Sequence, residues 1–341
     1  MAADTQPSWQ PGRVVETGLV ADRIRRITIA RPPTGRAQPG AHLDVQVRLA
    51  DRADTRSYSI VESNPDGSLL TLSVLLSPTS RGGSRFMHDL RVGDTLPTTQ
   101  PLQNFPLQVG AERYVLVAGG IGITALLAMA TALRSRRADY TFVYVARSRH
   151  AAAYLDEVAA EHGDRLVVHL DDEGDPLDVA ALIADVAAGR RAHTTELYMC
   201  GPIRLMDAIR REWRVAELPT HHLRYETFGN SGWFEPEEFV VRIPRLGLEA
   251  TVGPDRTILE ALTDAGAELM FDCRKGECGL CVVSVLDVDG VIDHRDVFLS
   301  DRQRGLGTQL CSCVSRTASG RTASCPPRPA GAPPVVTIDV P

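Results

Sequence analysis

Short stretches of alternating apolar and polar residues fill the first third of the chain. Arg25-Arg26-Ile27-Thr28-Ile29, Leu43-Asp44-Val45-Gln46-Val47 and Leu69-Leu70-Thr71-Leu72-Ser73-Val74 turn successive side chains to opposite faces, as a half-buried strand does. Such strands, separated by turns from Val14 to about Leu107, predict a small antiparallel β-barrel. At Tyr114 the pattern changes. Tyr114-Val115-Leu116-Val117-Ala118 is apolar throughout, the mark of a strand buried on both faces. A helix from Thr124 to Leu133 follows, then strands Tyr140 to Val145, Leu166 to Leu170 and Glu196 to Met199. Strands alternating with helices predict a parallel α/β sheet.

Gly229-Asn230-Ser231-Gly232-Trp233-Phe234-Glu235-Pro236 reads as a linker, and an α+β segment follows it. The expected partition is 12–109 for the barrel, 110–228 for the α/β part and 236–341 for the last. Residues 1–10 read as a disordered lead. The stretch from Thr317 to Pro334, rich in Ser, Gly, Ala and Pro, reads as flexible.

These 341 residues suffice for two or three domains. A net charge of −6 argues against nucleic acid as a partner. From Glu235 onward, 16 acidic against 11 basic residues leave −5 in the last domain, a balance suited to a partner with a positive face. No apolar run approaches the roughly 18 residues of a membrane helix. The chain starts without a signal-peptide pattern. A cytoplasmic protein with no membrane partner is expected.

Cys273-Arg274-Lys275-Gly276-Glu277-Cys278-Gly279-Leu280-Cys281 carries three cysteines spaced C-x4-C-x2-C. With a distant fourth cysteine this is the plant-type ligand pattern of a [2Fe–2S] cluster. Gly276 and Gly279 allow the backbone angles that a loop wrapped round a cluster needs, so that successive N–H groups can face the sulfurs. Structural zinc favours paired C-x2-C units or histidine, and disulfides favour small secreted domains. Two residues compete for the fourth place. Cys311 follows Cys281 after 29 intervening residues, and Cys313 lies two further on. On a strand the two face the same way, so alternation leaves both open.

Ala118-Gly119-Gly120-Ile121-Gly122-Ile123-Thr124 joins a strand to a helix. Its glycines let a pyrophosphate approach backbone N–H groups at the helix N-terminus. Cys200-Gly201-Pro202 closes a later strand. Both motifs fall at carboxyl ends of strands, where open parallel sheets bind ligands, and Cys200 is placed as a wall of a nicotinamide pocket. A hydride donor and a one-electron cluster call for a flavin between them. Arg56-Ser57-Tyr58-Ser59 is its candidate site: an arginine for phosphate, Tyr58 against the ring, Ser59 at the ring's edge. Ser80-Arg81-Gly82-Gly83-Ser84 offers a second phosphate turn.

Together these segments resemble the phthalate dioxygenase reductase family, vanillate demethylase reductases included, over roughly residues 12–316. The likeness also rests on Tyr225-Glu226-Thr227-Phe228, Asp293-His294-Arg295-Asp296, and Gly307-Thr308-Gln309 with Cys313-Val314-Ser315-Arg316. It implies an antiparallel β-barrel flavin domain holding FMN, a parallel-sheet α/β domain binding NADH, and a β-grasp plant-type ferredoxin domain. The implied reaction is hydride transfer from NADH to FMN, with single electrons leaving through the cluster. The implied acceptor is a separate terminal oxygenase, a Rieske-type mono- or dioxygenase or demethylase, and the reductase is expected to be a monomer.

The resemblance assigns the FMN phosphate to Arg81, Gly82, Gly83 and Ser84, and adds Val74 and Leu75 to the flavin site. It sets Glu226 and Phe228 beside the flavin and makes Cys313 the fourth iron ligand after Cys273, Cys278 and Cys281. Ser59, Cys200, Glu226 and Phe228 are then the residues at the reacting centre. Arg56, Ser57, Tyr58, Gly119, Gly120, Gly122, Thr124, Gly201 and Pro202 complete the cofactor-binding set.

Pro101-Leu102-Gln103-Asn104-Phe105 departs from the family's Pro-Arg-Asn before Phe-Pro-Leu, and the stretch after Arg316, with Cys325, is longer than usual. Arg147 and Arg149 follow the second strand of the nucleotide half, where the 2′-phosphate of NADPH would sit. The resemblance favours NADH. His294 reads as a turn residue holding the ferredoxin loop. Two other readings are a reductase serving a cytochrome P450 and a redox-sensing flavo-iron–sulfur protein.

Overall fold

The structure, a computed structural model, describes residues 7–49, 53–77, 82–228, 232–319 and 333–340. Ser80, Arg81, Cys325 and residues 229–231 of the expected linker lie outside the described residues. The chain divides into two compact units, 1–226 and 227–341.

The first unit opens with β1 (Gln10–Ala21), β2 (Ile24–Ala30), β3 (Ala41–Arg48), β4 (Ala53–Ser63), β5 (Leu69–Leu75), α1 (Gly83–Asp89), β6 (Thr95–Thr98) and β7 (Leu102–Gln103). Hydrogen bonding runs β4-β5-β2-β1-β6-β3, and β3 pairs back onto β4. The sheet thus closes into a six-stranded antiparallel barrel, which leaves no free edge in the ring. Ile27, Ile29, Leu43, Val45, Leu70 and Leu72, the inward halves of the alternating strands, fill it. The first strand starts inside the stretch expected to be disordered: Gln10 pairs with Thr98 of β6. Pairing across the barrel orders a segment whose own sequence has no strand periodicity.

The unit continues with β8 (Arg113–Gly119), α2 (Ile123–Ser135), β9 (Tyr140–Ala146), α3 (Leu155–His162), β10 (Leu166–Leu170), α4 (Val179–Ala188), β11 (Thr195–Cys200), α5 (Ile203–Val215) and β12 (Leu223–Glu226). All five strands are parallel, in the order β10-β9-β8-β11-β12. Chain order reverses at β8, the switch point where an open sheet forms its ligand crevice. The whole of β11 is buried. Its Glu196 accepts hydrogen bonds from the Tyr198 hydroxyl at 2.6 Å and from Arg224 at 3.2 Å.

The second unit contains β13 (Phe239–Ile243), β14 (Leu248–Val252), α6 (Ile258–Asp264), β15 (Val282–Asp289), β16 (Val291–Asp293), α7 (Asp301–Leu306), β17 (Gln309–Cys311), β18 (Arg316–Ala318) and β19 (Val335–Asp339). A mixed sheet runs β14-β13-β19-β15-β17, and β16 pairs with β18. Thr257 and Glu260 cap α6 reciprocally, and its Ile258 and Leu262 join Phe239, Val241, Val336 and Ile338 in the core.

Two expectations change here. Thr317 and Ala318 belong to a buried strand, not to a flexible stretch. Arg316 anchors them by donating to the carbonyls of Glu237 and Gly253 at 2.9 and 2.8 Å; residues 320–332 lie outside the described residues. The second change is β19, the middle strand of the sheet, parallel to β13 and antiparallel to β15. Its alternation spans only five residues after a proline-rich run, too short to stand out in the sequence.

Candidate functional site

Strand register sets three expected site segments side by side. Cys200 pairs with Ala118 on one flank and with Glu226 on the other. The glycine turn, the Cys200-Gly201-Pro202 corner and Glu226 therefore leave the sheet from three neighbouring carboxyl ends. The two glycine motifs touch backbone to backbone. A Cβ at Gly122 would lie 2.1 Å from the Cys200 carbonyl oxygen, and one at Gly119 would lie 2.7 Å from Pro202 Cδ. Gly120 needs glycine for another reason, its φ of +53°. The Thr124 hydroxyl donates to the Ile121 carbonyl at 2.9 Å and fixes the turn.

The barrel reaches the same place through β4, against which α2 packs. Buried Ser59 donates from Oγ to Glu226 Oε2 at 3.3 Å. Three residues earlier, Arg56 crosses Gly83, where a Cβ would lie 3.0 Å from its Nε. Arg56 Nη1 pairs with Asp54 at 2.6 Å, but among the described residues its buried Nη2 has no hydrogen-bond partner. That orphaned donor, beside a turn in which Gly82 takes φ +92°, suits a phosphate, whose oxygens would satisfy it. Ser84 Oγ accepts from the Ser77 N–H at 3.3 Å. Tyr58 packs against the barrel core, and burial pushes its phenol well above the usual range, so it stays neutral. Ser57 turns away to donate to Asp44 at 2.5 Å. Val74 is buried, with its carbonyl 2.8 Å from His88 Nε2, and Leu75 beside it is half-buried. Phe228, also half-buried, belongs to the second unit.

In the second unit the cysteine loop is shaped by its glycines. Gly276 has φ +75°, and a Cβ there would lie 2.8 Å from Asp296 Cα. Gly279 has φ +79°, and the Phe298 ring lies against it. The N–H groups of Lys275, Glu277 and Cys278 all point at Cys273 Sγ from 3.4 Å. Cys281 Sγ and Cys313 Sγ are 3.1 Å apart. Among the described residues no three His, Cys, Asp or Glu side chains are arranged to hold a single metal ion.

The strand expected to carry both late cysteines ends at Cys311, and the chain turns through residues 312–314. Ser312 drives the turn by donating from both N–H and Oγ to the Cys281 carbonyl, each at 3.0 Å. Both thiols are nonetheless buried together with Cys281 and Leu259. Hydrogen bonding with Cys311 and then Cys313 holds the Cys281 thiol well below the usual thiol range. The same bonds, with burial, push Cys311 and Cys313 up. Cys313 also lies within reach of Cys273 and of the Gly276 N–H, whereas Cys311 senses Asp296. Behind the loop, fully buried Asp296 accepts from the Leu299 N–H at 2.8 Å and sits 3.6 Å from His294.

Residues 241–318 match the model of the 2Fe-2S iron-sulfur cluster binding domain. The phenoxybenzoate dioxygenase subunit beta of Ectopseudomonas oleovorans is 38% identical over 81% of this chain and 83% of its own. The phthalate dioxygenase reductase of Burkholderia cepacia is 33% identical over 83% of this chain and 85% of its own. A solved phthalate dioxygenase reductase, described as a modular structure for electron transfer from pyridine nucleotides to [2Fe–2S], superposes with a TM-score of 0.70. It is 29% identical, covering 98% of both chains.

Proposed function

Because the chain belongs to the phthalate dioxygenase reductase family, we propose that it is the NADH-dependent reductase of a Rieske-type terminal oxygenase, a separate protein. Bound in this chain, FMN would take the hydride of NADH and the [2Fe–2S] cluster would pass the electrons on singly. The observation that carries the reading is the row Ala118–Cys200–Glu226 with Ser59 bonded to its end. It joins a nucleotide turn to the barrel wall.

On this reading Gly119, Gly120, Gly122, Thr124, Gly201 and Pro202 seat the pyridine nucleotide on the backbone of the two turns, with Cys200 as the wall behind the nicotinamide. Arg56, Gly82, Gly83 and Ser84 hold the FMN phosphate, with Arg81 beside them in sequence. Tyr58, Val74 and Leu75 flank the ring, while Ser59 and Glu226 fix its polar edge; Phe228 is assigned to the flavin site by the family resemblance. Cys273, Cys278, Cys281 and Cys313 ligate iron. The functional parts are 12–109, 110–228 and 236–341, in a cytoplasmic monomer. No described helix is long and apolar enough to cross a membrane.

Anaerobically purified protein should contain FMN, iron and sulfide, and should reduce ferricyanide and cytochrome c with NADH. It should also support turnover by a Rieske oxygenase. Protein lacking FMN would sink the reading, as would turnover with a haem monooxygenase but with no Rieske partner.

A further inference from the structure

The chain has two arginines where an NADPH-dependent enzyme would want them, and the structure shows what disarms one of them. In β9 and β10 Ala146 stands opposite Leu170, so Arg147 and Asp171 leave neighbouring strand ends. The Asp172 N–H donates to the Arg147 carbonyl at 3.0 Å and draws the acidic turn Asp171-Asp172-Glu173 against the arginines. Glu173 then grips Arg149 with both oxygens, Oε1 to Nε at 2.7 Å and Oε2 to Nη2 at 3.2 Å. Asp156 and Asp172 add to the negative field on that guanidinium. Arg149 also lines a cavity of about 720 Å³ whose other charged walls are Asp22, Asp156 and Glu157, with His150 beside it.

The end of this strand is where a dinucleotide fold reads the ribose 2′ position: a carboxylate suits the hydroxyl of NADH, an arginine the phosphate of NADPH. We propose that Glu173 is a specificity-determining residue that favours NADH by claiming the Nε–Nη2 edge of Arg149 and opposing a 2′-phosphate with its own charge. The inference rests on the NADH-reductase reading. Rejection here works through repulsion as much as through a missing contact.

The test compares kcat/KM for NADH and NADPH, with ferricyanide as acceptor, in the full-length holoprotein. Since an exposed ion pair is worth little, Glu173→Ala should raise the NADPH/NADH ratio only about fivefold. A lower KM for NADPH should carry that rise. Glu173→Gln should give part of it, and adding Arg149→Ala to Glu173→Ala should erase it. Titration with adenosine 2′-monophosphate, which needs no turnover, should show the same order of affinities. An unchanged ratio with a wild-type melting temperature overturns the proposal. So does a ratio that rises only because NADH turnover falls, since Glu173 would then be a ribose contact. Wild-type protein that fails to oxidise NADH at all would instead sink the parent reading.

Discussion

Thr227 is tied to Glu277. Its backbone N–H donates to Glu277 Oε1 at 2.7 Å, and its hydroxyl lies 3.0 Å from the same oxygen and 2.8 Å from the Lys275 carbonyl. Thr227 is buried, so removing the carboxylate strands an N–H away from water. Glu277→Ala should cost about 1–3 kcal/mol and Thr227→Val about 1. Both should speed the bleaching of cluster absorbance in air, Glu277→Ala more. Equal bleaching rates in wild type and Glu277→Ala would refute the tie.

The two late cysteines should behave differently. Cys313→Ser should leave protein without iron or sulfide, since the Cys313 thiol shares reach with Cys273 and Cys281. Cys311→Ser should keep a full cluster. Iron and sulfide analysis decides, and the reverse result would reassign the fourth ligand.

Space at the nucleotide turn gives a third prediction. Gly122→Ala pushes a methyl into the Cys200 carbonyl, and backbone cannot swing aside as a side chain can. Overpacking of this kind costs about 1–3 kcal/mol, and separating the two motifs should raise KM for NADH at least about tenfold. Gly18→Ala on β1, where nothing lies within 4 Å, is the control, with stability changed by less than about 0.5 kcal/mol.

Acid should weaken the first unit through His162. This buried ring sits 2.6 Å from the Tyr140 hydroxyl, and burial lowers its pKa from the ordinary 6.5. Arg134 and Arg165 add to the lowering, and Glu161 opposes it. Folded protein keeps the ring neutral while unfolded chain takes a proton below about pH 6.5. Stability is therefore full above that pH and falls as pH drops through it toward the folded pKa. The loss of melting temperature between pH 7.5 and 5.5 should be smaller in His162→Gln. Identical losses would clear His162 of the effect.

Local chemistry made much of this legible in the sequence. Cys273, Cys278 and Cys281 crowd one short loop with Gly276 and Gly279 between them, so spacing alone carries the pattern. Ala118 and Cys200 end apolar strands, and parallel strands align their carboxyl ends without further instruction. What escaped was set by distance along the chain. Thr227 meets Glu277 across 50 residues, and Arg149 meets Glu173 across 24. No periodicity announces such pairs. The turn at Ser312 was hidden because the carbonyl that accepts its hydrogen bonds belongs to Cys281, in the turn before β15 and 31 residues away. The strand at Val335–Asp339 was hidden because its worth lies in two neighbours, not in its own five residues.

That last strand also dictates an order of events on the ribosome. The sheet beside the cysteine loop is missing its middle until Val335–Asp339 has been made, so every cysteine from Cys273 to Cys313 is made before that strand exists. At about 5–20 residues per second, the interval between Cys313 and Val335 lasts on the order of seconds. Through that interval the sheet lacks its central strand, so the cysteine loop gains its full support only once Asp339 has been made.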